Sequence, residues 1–177
     1  MNALTLSRWL SLPSRLAAAF IGCLLLVLTA VILYDVIGRK FFDTGSFVLS
    51  ELEWHLHGAI AILGFGYAYL KDAHVRIDLF AKQLGPRLRL WLELVAILLF
   101  LIPFMIFLAW FGYDFAMRAY VRGEGAPGGL GLPNRWIIKS AIPLTAVLTI
   151  TAALSVALRI WVVLRDPARL SDPFERD

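Results

Sequence analysis

Residues 16–37 read LAAAFIGCLLLVLTAVILYDVI, an almost wholly apolar run with a single charged side chain, Asp35. As an α-helix this run is about 33 Å long, which matches the roughly 30 Å hydrocarbon layer of a bilayer. It is also longer than the roughly 7 to 15 apolar residues of a cleavable signal sequence. We therefore expect residues 16–37 to form a membrane-spanning helix that is not removed.

The composition of the whole chain is typical of a membrane protein. Of 177 residues, 60% are hydrophobic and 17% are charged, whereas soluble domains are roughly half apolar and a quarter charged. The formal net charge is +4, but the basic residues form short clusters between apolar runs, which argues against nucleic-acid binding. Cys23 is the only cysteine, so an intramolecular disulfide or a thiolate metal cage is excluded.

Three further apolar runs have the length of membrane spans: residues 50–70, 88–117 and 136–164. Ser50 stands three positions before Glu53, the spacing of a capping box, so the second helix is expected to begin at Ser50 or one turn earlier. The sequence predicts an all-α integral membrane protein with four transmembrane helices and a single membrane domain over residues 1–177. Its connecting segments are residues 38–49, 71–87 and 118–135.

Two prolines are expected to distort the last two spans. The run 88–117 is about 45 Å long as a helix, more than the hydrocarbon layer needs, and it contains Pro103. A tilt, a proline kink or an end outside the membrane is expected to absorb the surplus. Pro143 is expected to bend the first turns of the last helix, which follows the Gly- and Pro-rich stretch 123–133.

The distribution of basic residues predicts the orientation, because short basic loops are retained in the cytoplasm. Both termini and the connection 71–87 are therefore expected to be cytoplasmic, with most of the Lys and Arg residues: Arg8, Arg15, Lys71, Arg76, Lys82, Arg87, Arg89, Arg159, Arg165, Arg169 and Arg176. Tryptophans prefer the two interfaces, and those of the predicted spans fall near their ends. Trp9 belongs to a short amphipathic stretch expected to lie along the inner surface.

The opening turns of the second span carry Glu51, Glu53, His55 and His57. At about 100° per residue, Glu51 and His55 share one face while Glu53 and His57 share the nearly opposite one, so these four cannot bind one metal. A metal or proton-relay role needs a second helix, and ion pairing at the interface explains the spacing equally well.

Catalytic and cofactor sites are not predicted anywhere in the chain. His55 and His57 lie on one helix and His74 in a basic loop, a poor arrangement for haem between two spans. No serine in the spans has a plausible histidine base near the bilayer centre. We predict that the protein is not an enzyme and has no catalytic, cofactor-binding or metal residues.

Two spans carry rows of mostly small side chains at helical spacing, which permit close helix contact in lipid. The first row follows Glu53, His57, Ala61, Gly64 and Ala68, and the second follows Thr145, Thr149 and Ala152. Each row packs either within the chain or against a partner subunit. Inverted repeats, broken helices and polar midplane sites, which transporters use, are not evident, so the chain is not expected to form a transport pathway alone.

The order of several short motifs resembles the small permease subunit (DctQ type) of tripartite ATP-independent periplasmic (TRAP) transporters. The first span ends in Asp35, Gly38 and Arg39, and the second opens with Glu51 and passes through Gly64. The loop after it contains Lys71, His74, Val75, Arg76, Ile77 and Asp78, and the last span is preceded or entered by Leu132, Pro133, Trp136 and Pro143.

The resemblance implies a subunit of the bacterial inner membrane that flanks a large permease subunit as a scaffold. A periplasmic binding protein would deliver an organic acid, such as a C4-dicarboxylate or another carboxylate, and the large subunit would couple its import to sodium. Lys71, His74, Arg76 and Asp78 would then organise the inner loop by ion pairing, unless that loop is a solvated basic turn. Two other hypotheses are a haem- or quinone-associated membrane anchor of a redox complex and a self-sufficient small multidrug carrier.

Overall fold

The structure is a computed structural model that describes residues 3–74, 84–129, 131–168, 170 and 172–174. In these ranges every regular element is a helix. The α-helices are α1 (Ala3–Phe42), α2 (Phe47–Leu63), α3 (Phe65–Leu70), α4 (Pro86–Ala96), α5 (Ile102–Val121), α6 (Trp136–Lys139) and α7 (Ala141–Arg165). A π-helical segment (Ile97–Leu101) joins α4 to α5, and a 3-10 turn (Pro127–Gly129) lies in the connection to α6.

Helix α1 is longer than the predicted span, because it begins at Ala3 and continues for 40 residues to Phe42. The N-terminal stretch around Trp9 is therefore the first part of the same helix. Pro13 lies inside α1. After Phe42 the chain turns through Asp43, whose φ is 53°, and Thr44 donates a backbone hydrogen bond to Gly38 (3.2 Å).

Helix α2 begins at Phe47 with Ser46 at the N-cap position, one turn before Ser50, which is the earlier of the two expected starts. Ser50 is therefore inside the helix, and the interpretation of Ser50 and Glu53 as a capping box is wrong. Gly64 interrupts the predicted second span, so that residues 50–70 belong to two successive helices, α2 and α3.

Each of the two prolines lies close to an irregularity of its helix, at the places where a distortion was expected. The π-helical segment ends two residues before Pro103 and contains Leu99, whose carbonyl the proline ring would meet in a regular α-helix. The wider π turn removes that conflict, so α4 and α5 continue as one rod over residues 86–121. In the last span, Ser140 separates α6 from α7 three residues before Pro143.

Among the described residues, three helical rods are long and apolar enough to cross a membrane: Ala3–Phe42, Pro86–Val121 and Trp136–Arg165. With 17 residues, α2 is a shorter fourth helix. The most apolar stretch of the last rod is 50% buried inside the chain, whereas the stretches of the first and second rods are 6% and 11% buried. The protein is thus a multi-pass membrane protein whose last helix is the most enclosed.

Helix α7 is the centre of the packing and contacts α1, α3 and α5. The main core surrounds its second half, where Ala152, Ala153 and Val156 meet Tyr69 and Leu70 of α3. On the other side, α5 approaches α7 at Gly112, where an added Cβ would lie 2.9 Å from Ile142 Cγ2 and 3.2 Å from Pro143 Cδ. The absence of a side chain at Gly112 therefore permits this close helix contact.

Candidate functional site

The small-residue row of the last helix is covered by the chain itself. Thr145, Thr149 and Ala152 are all buried. Thr145 Oγ1 donates a hydrogen bond to the carbonyl of Ile62 at 2.6 Å, close to the break between α2 and α3. Thr145, Thr149 and Ala152 therefore pack within the chain, and a second subunit has no access to them in this structure.

The residues of the row predicted on the second span differ in their exposure. His57 and Ala61 are exposed, whereas Glu53, Gly64 and Ala68 are half-buried. Gly64 turns toward α1, since a Cβ added to it would lie 4.0 Å from Ile21 Cδ1. The uncovered side of α2 and α3 consists of Trp54, His57, Ala61 and Phe65 with Glu53 at its margin, and we call these five residues the α2 face.

The ionisable residues at the start of α2 do not form ion pairs with one another. The ring of His55 contacts the backbone carbonyl of Glu51, with Nδ1 at 2.6 Å, and not its carboxylate. Glu53 Oε1 is buried and has no hydrogen-bond partner among the described residues. The helical neighbours Glu53 and His57 form no ion pair. The ion pairing that was one explanation of the spacing is therefore not made between these residues within α2.

Glu51 instead connects α2 to the segment that precedes α6. Its Oε2 accepts a hydrogen bond from the backbone N–H of Leu132 at 2.6 Å, and its Oε1 lies 3.4 Å from Arg135 Nη2. Gly131 is necessary for this approach, because a Cβ at position 131 would overlap the Glu51 carboxylate and crowd Ala126. Two motifs separated by about 80 residues thus meet at one point.

A second ion pair, between Lys139 and Glu124, stabilises the other side of the segment that precedes α6. Lys139 Nζ donates to Glu124 Oε2 at 2.6 Å and lies 4.1 Å from the centre of the Phe115 ring. The backbone N–H of Arg135 donates to the carbonyl of Glu124 at 3.0 Å. The hydrogen bond from Lys139, together with the nearby cationic groups, lowers the pKa of Glu124 below its ordinary value of 4.5. We call Glu51, Glu124, Gly131, Arg135 and Lys139 the loop cluster.

Pro133 and Trp136, which belong to the motif that precedes the last span, make apolar contacts beside the loop cluster. Trp136 packs edge-on against Tyr120 of α5, with ring centroids 5.4 Å apart. Pro133 lines an apolar groove of about 460 Å³ between α1, α2 and α6, together with Phe20 and Leu56. Both residues lie beside the loop cluster and contribute apolar packing there.

The corner between α1 and α2 uses the residues that the resemblance placed at the end of the first span. Arg39 Nε lies 2.7 Å from Asp35 Oδ2, and the side chain of Asp35 is only 6% exposed. Arg39 also donates a hydrogen bond to Ser50 Oγ on α2. A Cβ on Gly38 would be 2.6 Å from Thr44 Oγ1, so glycine is required for this tight turn.

At the opposite end of the bundle, a polar network joins the start of α1 to α7, and sequence analysis missed it. Ser7 and Ser155 are fully buried, and their hydroxyls are 3.0 Å apart. Ser155 Oγ donates to the Ser7 carbonyl at 2.9 Å, and Arg159 Nε donates to Ser7 Oγ at 2.7 Å. The signal was the spacing of Ser7, Ser11 and Ser14, which places three small polar side chains on one helical face.

Only part of the predicted motif in the loop after the second span, which comprises Lys71, His74, Arg76 and Asp78, lies within the described residues. The His74 ring stacks on Phe65 with centroids 5.6 Å apart, and Lys71 Nζ lies 5.9 Å from the centre of the Tyr67 ring. Arg76 and Asp78 lie outside the described residues, so their predicted ion pairing stays a prediction. In the described part of the chain, no group of three or more His, Cys, Asp or Glu side chains is placed to hold a metal ion.

The geometry defines a multi-pass helical membrane protein in which polar side chains hold helices and connections together. Comparison with known families gives a match to the family described as "Tripartite ATP-independent periplasmic transporters, DctQ component" over residues 28–163. The match covers well over half of the chain, so the protein belongs to this family of transporter components. No curated protein matches the chain.

Proposed function

We propose that this protein is the small, scaffolding subunit of a TRAP-type transporter in the bacterial inner membrane. Its partners are a large permease subunit and a periplasmic binding protein, which delivers an organic acid or a similar small solute. Import is coupled to sodium through the large subunit. The family match carries this proposal, since it runs from within α1 almost to the end of α7 and thus includes part of α1 and the other helices almost entirely.

The proposed subunit crosses the membrane four times, with both termini in the cytoplasm. α2 and α3 together cover residues 47–70, about 36 Å if they were a single straight helix, which is enough for a fourth span. A backbone hydrogen bond from Ala68 to the Gly64 carbonyl (2.9 Å) and the Thr145 hydroxyl on the Ile62 carbonyl satisfy polar groups at the break. The basic ends of the chain support the cytoplasmic location of the termini.

A scaffolding role is supported by the way the polar side chains are used. The loop cluster holds one end of the bundle, and the network of Ser7, Ser155 and Arg159 holds the other. Polar contacts between distant parts of the chain favour one arrangement of helices, which suits a subunit that stays still while another moves. We propose that the large subunit contacts the α2 face, because the comparable row on α7 is already covered.

The proposal is tested by co-expressing the tagged chain with the large subunit encoded beside it. Co-purification as a stable complex is expected, and liposomes containing both subunits should import solute when the binding protein and a sodium gradient are present. Liposomes containing this chain alone should not. Uptake by the chain alone, or the absence of any complex, would contradict the proposed function.

A further inference from the structure

We propose that the α2 face binds a transmembrane helix of the large subunit through a polar contact, in which a Lys or Arg of that helix donates hydrogen bonds to Glu53 beside His57. This inference rests on the proposed scaffolding function and names the chemistry of the partner surface. It follows from the depth of these side chains, their exposure and the absence of partners for them within the described chain.

The position of His57 along α2 is the first observation. α2 begins at Phe47, so Glu53 and His57 lie about 9 Å and 15 Å along the helix axis. In the four-span arrangement proposed above, the hydrocarbon layer extends about 30 Å along residues 47–70, so His57 lies inside it. Its side chain is exposed on the surface of the chain. Ionisable residues at such depth almost always face other helices or water, so lipid is not an acceptable neighbour for His57.

The state of Glu53 is the second observation. Three other carboxylates at this end of the bundle each meet a cation of the chain: Asp35 meets Arg39, Glu51 meets Arg135 and Glu124 meets Lys139. Glu53 Oε1 is removed from solvent and has no donor among the described residues. An unpaired carboxylate is costly in a membrane. Glu53 as a whole is only half-buried, so a donor from a second protein can reach its carboxylate and remove that cost.

The shape of the face favours a protein helix over a lipid head group. A lipid phosphate would bring its negative charge close to the carboxylate of Glu53, and the two charges would repel each other. Lipid phosphates also lie at the membrane interface, whereas His57 lies deeper in the membrane. Ala61 follows His57 by one turn and is also exposed, which leaves room for a neighbouring helix to approach closely. Trp54, 76% exposed, marks the side of the face nearer the start of α2. A cationic side chain of the partner helix, placed beside Glu53, would give its carboxylate a hydrogen-bond donor.

The first test measures co-purification of the large subunit with Glu53→Leu and His57→Leu variants. Each is expected to lower the recovered large subunit at least fivefold, while the isolated chain keeps its thermal unfolding midpoint. The matched control is His55→Leu, which removes the same side chain from the same helix on the side that contacts the Glu51 carbonyl. This control should retain the complex. Equal recovery for all three variants would overturn the inference.

The second test places the photo-crosslinking residue p-benzoylphenylalanine at position 57 or at position 107. Phe107 is 64% exposed on α5, a helix that packs on α7 and α6. Position 57 should crosslink to the large subunit near a Lys or Arg, and exchange of that residue for Glu should restore the complex of a Glu53→Lys variant. If the wild-type pair co-purifies but position 57 crosslinks only to lipid or to a second copy of this chain, the inference fails and the proposed function stands. If the wild-type pair does not co-purify, the proposed function itself fails.

Discussion

The carboxylate of Glu51 accepts a hydrogen bond from the backbone N–H of Leu132 at 2.6 Å, although 81 positions separate the two residues. This contact joins the first turns of α2 to the segment that leads into α6. Hydrogen bonds to charged groups contribute roughly 1.5 to 3 kcal/mol, about twice the value of neutral ones. Glu51 therefore acts as a structural anchor of the connection, and the adjacent Gly131 gives its carboxylate the space it needs.

We predict that Gly131→Ala detaches this connection from α2. The new methyl group would occupy the position of the Glu51 carboxylate, so the bond to Leu132 would break and the chain would lose about 1.5 to 3 kcal/mol of stability. Thermal unfolding in detergent and protease cleavage within residues 122–135 measure the effect. The control is Gly125→Ala, because a Cβ at position 125 meets nothing within 4 Å. Equal behaviour of both variants would contradict the anchoring role of Glu51.

The ion pair between Glu124 and Lys139 predicts a pH dependence of the same connection. Because folding lowers the pKa of Glu124, its contribution to stability is fully present above the ordinary value of 4.5 and is lost as the pH falls through the lower folded value. Hydrogen exchange of residues 122–139, corrected for its intrinsic pH dependence, should be constant near neutral pH and accelerate in acid below pH 4.5. Glu124→Gln should abolish that acid step, and a step that persists in this variant would assign it to another group.

Close contact between α5 and α7 predicts that Gly112→Ala is destabilising. The added Cβ would lie 2.9 Å from Ile142 Cγ2, so the two helices must separate or repack, at a cost of about 1 to 3 kcal/mol. Gly22→Ala in α1 is the matched control, since nothing lies within 4 Å of its Cβ position and alanine favours the helix. Unfolding midpoints in one detergent compare the two variants. A midpoint for Gly112→Ala at or above that of Gly22→Ala would refute the tight contact.

The network at the opposite end predicts that Ser155→Ala weakens the attachment of α1 to α7. This change removes the Ser155 hydroxyl, which donates to the Ser7 carbonyl and lies 3.0 Å from Ser7 Oγ. Ser7 and Ser155 are both fully buried. Hydrogen bonds between membrane helices average about 0.6 kcal/mol with a maximum near 1.7, so a loss of about 1 kcal/mol is expected. Thr29→Ala should have little effect, because Thr29 is exposed and bonds only to its own helix. An equal shift for both would contradict the role of the network.

The sequence predicted the helical class and a start of the second helix at Ser50 or one turn earlier, because these depend on local composition and backbone chemistry. It did not predict the contacts of the polar residues. The spacing placed Glu51 and His55 on one helix face, and the structure directs the Glu51 carboxylate to Leu132 and Arg135. Helical spacing shows which residues share a face, whereas the partner of that face is set by another helix far away in the chain.

Sequence alone therefore determined that this chain is a helical membrane protein with the motifs of a TRAP transporter small subunit, since apolar runs of bilayer length admit few other structures. Only the tertiary structure determined which surfaces are already used. It enclosed Thr145, Thr149 and Ala152 within the bundle and left His57 and Ala61 uncovered. The physical reason is that a helix face is buried only where another helix packs on it. Which helix packs there depends on contacts between distant residues, such as Thr145 with Ile62, 83 positions apart, and Ser7 with Ser155, 148 positions apart.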